Sequence, residues 1–477
     1  MAKEKTYTKH MSLKEILSYS IGLFGFQAVI FYINSYAAEF YSRTMGANIA
    51  IVGVILLVAK VVSAVFDPVV GNMIEKQTGG KHGKLKPFIF WSIPFLIVLT
   101  ILCFVKLPVS GVPMYIIIFV LFTLWSMAMT LGDVPSQGIA AVLTPDITER
   151  TNVLSIANTF KSIGQAAPYV VVPVIAWIIP GGLDGFNPGY MSSAEYLVSA
   201  IFIAVVGCAM LSMICFFNKE RVPYQAEKMT FKEMFGALKG NKPLVLVLVS
   251  YFLGFARQGA MAIQVQASTV IFGTPSKIII LGITTAAGTM ISMAMTPLLI
   301  KKFDEKKVFI GMSVYGFVIS FVSYFATVAS NYNMIVMLAT LFLLGLQFGA
   351  VNIMPMIMVA DSVDYYEWKT GRRTEGVAYA VLSFAIKVTL AMGTALALIL
   401  VGAFGYESIA DASSIEPAIK NGVFFTYTAV PGITSLLAAI PIFFYDLVGG
   451  KKKQITAELA ERRNQTGAAC AEAESQA

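Results

Sequence analysis

Histidine, cysteine and charged residues are all scarce in this sequence. The 477 residues include two histidines, His10 and His82, and both lie outside the long apolar segments. Four cysteines show neither paired nor metal-like spacing: Cys103, Cys208, Cys215 and Cys470. A histidine-based metal site or catalytic triad is therefore excluded, and no nucleophile–base pair or phosphate-binding loop is visible. We expect neither an enzyme nor a bound metal or cofactor.

The scarcity of charge accompanies an abundance of long apolar runs. Charged residues make up 13% of the chain and hydrophobic residues 57%, with a mean hydropathy of +0.74, whereas soluble domains carry roughly 25% charged residues. Apolar runs of about 20 residues indicate helices that span a bilayer. Twelve candidate spans lie near 15–40, 47–72, 87–106, 112–137, 152–178, 196–217, 243–272, 278–299, 308–327, 334–360, 377–404 and 422–446.

The basic residues predict how these spans are oriented. Of 35 Lys and Arg residues, four lie inside spans and four in odd-numbered loops: Arg43, Lys106, Lys277 and Lys420. The rest lie in the N-terminus, the even-numbered loops and the tail, which is the positive-inside pattern. We therefore expect a multi-pass protein of the bacterial plasma membrane with both termini in the cytoplasm. The net charge of +8 then indicates no nucleic-acid partner. The segment before the first span lacks a signal-peptide cleavage pattern, so the first helix is expected to be retained.

The longest hydrophilic connection divides the chain into two halves. We predict an N-terminal six-helix bundle over 1–217 and a cytoplasmic linker over 218–242 with a short amphipathic helix at Thr230–Leu238. A C-terminal six-helix bundle over 243–450 and a mobile cytoplasmic tail over 451–477 follow. Two six-helix bundles joined in this way are typical of the major facilitator fold, an all-α membrane architecture of twelve transmembrane helices.

The ionisable residues found deep inside the spans are Lys60, Asp67, Asp133, Lys161, Arg257 and Lys387. A charge at the bilayer centre costs at least about 2.5–3.5 kcal/mol, so these residues are functional candidates. Lys60, Ser63 and Asp67 share one helix face, and so do Thr130 and Asp133. We expect Asp67 and Asp133 to meet across a helix interface, with Lys387 as a counter-charge. Alternatively, Lys60 and Arg257 are structural, and Asp67 is a packing or gating contact.

Other polar and aromatic residues in the spans have open roles. Glu39, near the outer end of the first span, is expected to be an interfacial charge. The rings of Tyr32 and Trp125 either stack on a sugar or only pack in the core, and the sequence does not separate these alternatives.

Four sequence motifs carry a resemblance to a known family. Asp67-Pro68-x-x-Gly71 is followed by GKLKPF (Gly83–Phe88), and the others are LGDVP (Leu131–Pro135) and ADSVDYYEWKTGRRTEG (Ala360–Gly376). With these motifs the chain resembles the glycoside–pentoside–hexuronide:cation symporters of the major facilitator superfamily (melibiose permease-like transporters) from about Leu13 to Tyr445. The resemblance implies sugar uptake coupled to Na⁺, Li⁺ or H⁺.

The resemblance also implies a cation site. That site uses carboxylates of span 2 and a threonine of span 4 beside a span 11 lysine, which here match Asp67, Thr130 and Lys387. The family's upstream span 2 aspartate falls on Ser63, so one carboxylate is missing. Because hard cations prefer several charged or carbonyl oxygens, we expect coupling to H⁺, or none, rather than Na⁺.

The sugar site that the resemblance implies departs from the family in a similar way. Its span 4 aspartate matches Asp133, its span 1 aspartate falls on Gln27, and its span 5 arginine falls near Asn158 with Lys161 one turn further on. With Arg257 and Lys387 retained, the cavity shifts towards positive charge. This favours an anionic sugar such as a uronide, a glucuronide or a sulfonated sugar, while a neutral glycoside stays open.

Charged residues at the predicted inner ends of the spans are candidate gating residues: Lys84, Asp361, Asp364, Glu367 and Arg372. Ion pairs among them would hold an outward-facing state, unless the cluster is merely solvated. The leading hypothesis is a monomeric secondary transporter whose partners are a small-molecule sugar, a coupling cation and the lipid bilayer. The alternatives are an uncoupled facilitator or exchanger, and a membrane sugar sensor.

Overall fold

The structure, a computed structural model, describes residues 11–77, 83–144, 147–179, 191–221, 238, 240–274, 277–371, 375–409, 415–459 and 461. Its elements are helices: α1 (Leu13–Glu39), α2 (Ile49–Lys76), α3 (Lys86–Leu102), α4 (Val112–Gly138), α5 (Ala140–Leu143), α6 (Ile147–Ile178), α7 (Ser193–Phe217), α8 (Lys242–Leu253), α9 (Ala256–Ala262), α10 (Gln264–Phe272), α11 (Ile278–Phe303), α12 (Glu305–Ala329), α13 (Met334–Thr370), α14 (Glu375–Ala403), α15 (Pro417–Phe443) and α16 (449–459). A π-helical turn (Phe40–Thr44) extends α1, and a 3₁₀ turn (Tyr406–Ser408) follows α14.

Every predicted span coincides with a helix or a broken helix. Within the described ranges, ten helices are long and apolar enough to cross a membrane, and α8 with α9, bent by 42°, forms an eleventh candidate. The shorter α3, with 17 residues, occupies the third predicted span. The predicted span 243–272 is interrupted, since α8 ends at Gly254 and α10 begins only after Ile263. The prediction of an all-α membrane protein is confirmed.

Helix α4 shows how a span divides its faces between protein and lipid. Ile116, Val120 and Leu124 follow each other at intervals of four and are 57%, 45% and 47% exposed. Phe122 and Trp125, on the opposite side, are buried. An exposed stripe of large apolar side chains on a helix is favourable only against an apolar solvent, as expected for contact with acyl chains.

The chain forms two compact units that interleave along the sequence. Unit 1 comprises Met1–Lys228, Met261–Gly282 and Thr394–Val423, and unit 2 comprises Met229–Ala260, Ile283–Gly393 and Phe424–Ala477. Unit 1 therefore contains the first six spans and two later segments. One segment runs from the end of α9 to the start of α11, and the other runs from the end of α14 to the start of α15. The boundaries predicted at 218–242 and 450 stay predictions. The predicted linker helix lies outside the described residues except for Leu238.

Unit 1 is built around α1, which packs on α6 and α7 and is the most buried of the candidate spans. Glycines bring the backbones into contact: a Cβ placed on Gly207 would lie 2.7 Å from the carbonyl oxygen of Gly25, and one on Gly25 or Gly164 would meet backbone oxygens of α7 or α1. In a membrane, where apolar burial gives little drive for helix association, such close van der Waals contact is what holds helices together.

Unit 2 also uses glycines to bring helix backbones into contact. Helix α13 packs on α12 and α8, and its Gly345 and Gly349 admit the backbone of α11. The apolar core of unit 2 includes Met354 and Met358 of α13, and it also buries two residues of α16, Ile455 and Leu459. Residues 451–459 of the predicted tail are therefore helical and packed, and 462–477 lie outside the described residues.

The glycine contacts of α1 give a test of this packing. We expect Gly25→Ala to lower the free energy of unfolding by about 1–3 kcal/mol, because the new methyl group overlaps the backbone of α7. Gly311→Ala on α12 is the matched control, since a Cβ there meets nothing within 4 Å and alanine favours a helix over glycine. Thermal unfolding in detergent should show a lower midpoint for the first variant alone. Equal midpoints would contradict the packing argument.

Candidate functional site

The α2–α4 contact brings two of the predicted coupling residues together. The hydroxyl oxygens of Ser63 and Thr130 are 2.8 Å apart, and the Ser63 hydroxyl donates to the carbonyl oxygen of Ser126 at 3.0 Å. Because Ser63 has one proton, Thr130 is the donor between the two hydroxyls. Both residues are buried. In this arrangement both hydroxyls are engaged in hydrogen bonds between α2 and α4.

The two candidate carboxylates lie on these same helices. Asp67 lies one turn beyond Ser63 on α2 and is half-buried. Asp133, also half-buried, accepts a hydrogen bond of 2.8 Å from the side chain of Gln137. The predicted meeting of Asp67 with Asp133 stays a prediction.

Gln27 of α1 follows Phe26, whose ring lies beside Gly132 of α4. The absence of a side chain at Gly132 lets α4 approach the ring of Phe26, to which a Cβ would come within 3.3 Å. Gln27 and Asp133 follow these two residues on adjacent helices, and Gln27 is buried at 5% exposure. A sugar site shared by Gln27 and Asp133 stays a prediction.

Helix α6 presents a polar face that a lipid-exposed helix would not tolerate. Five residues of this face are exposed: Asn152, Ser155, Asn158, Thr159 and Ser162. The predicted residue Lys161 is half-buried beside them. Polar groups at membrane depth are found where a helix lines a water-filled cavity. Two predicted substrate-binding residues, Asn158 and Lys161, therefore lie on a helix with the character of a cavity wall.

The two aromatic candidates are core residues in this conformation. Tyr32 is fully buried, packs on Phe104 at 4.6 Å between ring centroids, and donates a hydrogen bond of 2.6 Å to the carbonyl oxygen of Tyr196. Trp125 is equally buried and donates to the hydroxyl of Thr100 at 3.1 Å. Of the two roles left open, the structure displays packing, and a sugar-stacking role for Tyr32 stays a prediction.

Arg257 is a buried cation of unit 2. Its side chain lies on α9 with 6% of the residue exposed, and its guanidinium carbon is 5.6 Å from the ring centroid of Tyr251. Its Nε has no hydrogen-bond partner, and Arg257 forms no ion pair with any residue that the structure describes. Buried charges are ordinarily paired. Lys387, on α14 of the same unit, is half-buried.

Lys60 is not part of an ion pair either. It lies half-buried on α2, and within the described ranges no carboxylate lies within 4 Å of its ammonium group. The described residues therefore offer no carboxylate for a structural ion pair with Lys60.

The predicted gating residue Lys84 belongs to a loop held by a residue that sequence reasoning missed. The carboxylate of Glu220 accepts hydrogen bonds from the backbone N–H groups of Lys84, Leu85 and Lys86 at 2.7, 3.0 and 3.1 Å. A carboxylate at the start of α3 also complements the positive end of the helix dipole. Gly83 adopts φ = +85° directly against this carboxylate, where any side chain would be strained and would clash.

A second missed residue, Lys452 of α16, holds the predicted gating residue Asp361. Its ammonium group is 2.7 Å from the carboxylate of Asp361 and 2.6 Å from that of Glu305 at the start of α12. Burial acts to lower the pKa of Lys452, but the hydrogen bonds to Asp361 and Glu305 outweigh it and the pKa is raised. Asp364 and Glu367 are half-buried on α13, and Arg372 lies outside the described residues. Gating by these residues stays a prediction.

The expectation for Glu39 is wrong. Instead of being an exposed charge, its carboxylate is 1% exposed and accepts the hydrogen bond of the Tyr406 hydroxyl, which lies 2.7 and 2.9 Å from its two oxygens. A sequence offers no direct sign of this partner, which lies 367 residues away.

The fold and its polar groups define a multi-pass membrane transporter of the major facilitator type. The solved nucleoside transporter NupG matches with a TM-score of 0.63 at 14% identity, covering 91% of this chain and 99% of that one, a likeness that shows the fold alone.

The sequence places the chain within this class. Residues 18–449 match the family described as MFS/sugar transport protein, and the chain belongs to that family. The isoprimeverose transporter of Lactiplantibacillus pentosus is 27% identical over 462 residues, covering 95% of this chain and 92% of that relative. A putative sulfoquinovose importer of Salmonella typhimurium is 26% identical over 480 residues, covering 97% and 96%. These relatives and the family are transporters rather than enzymes, and the resemblance to cation–sugar symporters is confirmed.

Lys452 gives a test of how α16 is held. We expect Lys452→Gln to weaken the docking of α16 by about 1–2 kcal/mol, because two buried carboxylates lose their cation. Backbone amides of 451–459 should then exchange with deuterium about tenfold faster, while the exposed neighbour Lys453→Gln leaves them unchanged.

The same contact predicts a pH dependence. Since folding raises the pKa of Lys452, its stabilising effect is fully present below the ordinary lysine pKa of about 10.4 and is lost as the pH rises through the raised value. If neither Lys452→Gln nor alkaline pH changes the exchange protection of the amides of 451–459, the ion pair does not hold α16.

Proposed function

We propose that the chain is a secondary active transporter that imports a sugar or sugar derivative by cation symport through alternating access, with H⁺ favoured over Na⁺. The observation that supports this most is the composition of the α2–α4 contact: one half-buried carboxylate, Asp67, beside two hydroxyls that already bond each other. The family and the named relatives supply the sugar class.

The chemistry of these groups favours a proton. A sodium ion needs several oxygen ligands with charged or carbonyl character, and Ser63 and Thr130 would have to give up their present hydrogen bonds to serve. A proton needs only one carboxylate, and a carboxyl group in a poorly solvated place takes up a proton more readily. Loading Asp67 would remove a charge from the spans and ease the rearrangement of the helices.

Arg257 supports an anionic substrate. A guanidinium that stays charged, is buried and lacks an ion pair is a natural partner for a carboxylate, sulfonate or phosphate group. One relative is named a putative sulfoquinovose importer, and sulfoquinovose carries a sulfonate. Asp133 and Gln27 would then bind sugar hydroxyls, with Asn158, Lys161 and Lys387 contributing further polar contacts.

The charge distribution supports a location in the bacterial plasma membrane with both termini in the cytoplasm, and we propose that the protein works as a monomer. An uncoupled facilitator or exchanger is the second candidate, because Ser63 stands where the family has a carboxylate. The two differ in whether an imposed ion gradient drives accumulation.

Coupling is tested with Asp67→Asn in proteoliposomes. We expect an inward proton gradient to drive accumulation of radiolabelled sulfoquinovose or isoprimeverose in the unchanged protein. In the variant, accumulation should fall at least about tenfold while counterflow exchange persists, since the protonation step is lost but alternating access is kept.

The converse variant is Ser63→Asp, which supplies a second carboxylate and should make uptake respond to Na⁺. Accumulation that no gradient changes, with counterflow intact, would overturn symport in favour of the uncoupled facilitator.

Substrate charge is tested with Arg257→Gln. Its loss should weaken binding of sulfoquinovose or a glucuronide at least about tenfold, a change of about 1.4 kcal/mol, and leave binding of the neutral sugar isoprimeverose unchanged. Arg257→Lys should retain part of the affinity for the anion, and Lys277→Gln, at an exposed position, is the control. Thermal stabilisation by each sugar gives the readout. Equal effects on anionic and neutral sugars would count against an anion site at Arg257.

A further inference from the structure

The end of α1 carries a buried carboxylate that none of the roles above uses. Glu39 is the last residue of α1, just before the π-helical turn Phe40–Thr44. The hydroxyl of Tyr406 donates to this carboxylate and lies 2.7 and 2.9 Å from its two oxygens. Tyr406, itself fully buried, belongs to the 3₁₀ turn in the loop between α14 and α15. A buried hydrogen bond to a carboxylate thus joins span 1 to the loop between spans 11 and 12.

Arg43 holds the same loop from the π-helical turn. Its two terminal nitrogens donate to the carbonyl oxygens of Tyr406 and Ile409 at 2.7 and 2.9 Å. Its guanidinium lies 4.1 Å from the ring centroid of Tyr406, and its Nε is 4.0 Å from the carboxylate of Glu39. A planar guanidinium can combine a forked hydrogen-bond pattern with stacking on a ring, which a lysine cannot. π-Helical turns within longer helices occur often at functional sites.

Helix α10 encloses the cluster from another side. Gln266, fully buried, lies against Glu39, and Thr269 lies against Tyr406. Tyr196 of α7 is also close to both Glu39 and Tyr406. Among the residues that the structure describes, the charged and titratable groups around Glu39 are Arg43, Tyr406 and Tyr196.

The start of α2 holds the loop at a second point. Glu407 accepts hydrogen bonds from the backbone N–H of Ile49 and from the side chain of Asn48. Beside it, α2 and α14 touch closely: a Cβ placed on Gly402 would lie 3.4 Å from the Cβ of Ala50. All these residues belong to unit 1, and all lie at helix ends next to odd-numbered loops, the side predicted to face outward.

We propose that Glu39, Arg43 and Tyr406 form a latch that clasps the outer end of span 7 and the loop between spans 11 and 12 to span 1, and that the latch must open to admit substrate from outside. The second clause rests on the proposed function. Polar groups suit such a role because hydrogen bonds inside the protein can be exchanged for hydrogen bonds to water at small net cost. The van der Waals contacts between the glycines of α1 and α7 cannot be exchanged for contacts with water in this way.

Opening of the latch is measured by the reaction of Ala50→Cys with a hydrophilic maleimide, in a protein whose four native cysteines are replaced by alanine. Ala50 faces Gly402, so its thiol reacts fully only when the ends of α2 and α14 part. We expect Tyr406→Phe, and likewise Glu39→Gln, to raise the labelling rate about tenfold. Tyr19→Phe is the matched control, because it removes a comparably buried tyrosine hydroxyl that donates to the carbonyl oxygen of Ser136 at 3.2 Å.

A labelling rate unchanged by Tyr406→Phe and Glu39→Gln would overturn the latch. An equal rise in Tyr19→Phe would overturn it too, because any loss of buried hydrogen bonding would then suffice. The labelling measurement needs no sugar.

The need for opening is tested by closing the contact covalently. The 3.4 Å separation of the two Cβ positions is near the 3.5–4.5 Å of disulfides, so Ala50→Cys with Gly402→Cys should cross-link on oxidation. Counterflow of sulfoquinovose or isoprimeverose should stop in the oxidised protein and return on reduction. Full counterflow in the cross-linked protein would overturn the second clause. If the labelling results hold but the unlinked protein moves neither sugar, the proposed function fails and the latch stands.

Discussion

The high free energy of a charge or an unpaired polar group in hydrocarbon is the constraint on which this structure depends. It explains why 13% of the residues are charged and why the few charges inside the spans are so informative. Glu39 is buried among hydrogen-bond donors and Asp361 against an ammonium group. Arg257 and Lys60 are exceptions, since neither has an ion pair among the described residues, and Arg257 is almost fully buried.

The positions of the spans could be predicted because hydrophobic length is a local property. Twelve apolar runs predicted twelve helices or broken helices, and the shared faces of Ser63 with Asp67 and of Thr130 with Asp133 followed from helical periodicity alone. The Ser63–Thr130 contact joins α2 to α4 at these positions, while the meeting of Asp67 with Asp133 stays a prediction.

The polar partners could not be predicted, because they come from distant parts of the chain. Glu39 meets Tyr406 across 367 residues, Lys84 meets Glu220 across 136, and Asp361 meets Lys452 across 91. Each partner sits in a segment that reads as an ordinary loop or tail. Only the pairing of Glu39 with Arg43 four residues later gave a local hint that this carboxylate was not a free interfacial charge.

The glycine contacts of α1 limit the kind of motion that unit 1 can make. Because Gly25 and Gly207 each face the other helix's backbone, sliding α1 along α7 by even part of a turn would drive side chains such as that of Met210 into the main chain. Shear between these two helices is therefore blocked, and rotation of both as one rigid body is not. If the protein works by the proposed alternating access, its helices can move as rigid bodies or bend where they are interrupted, as the seventh span is at Gly254 and Ile263.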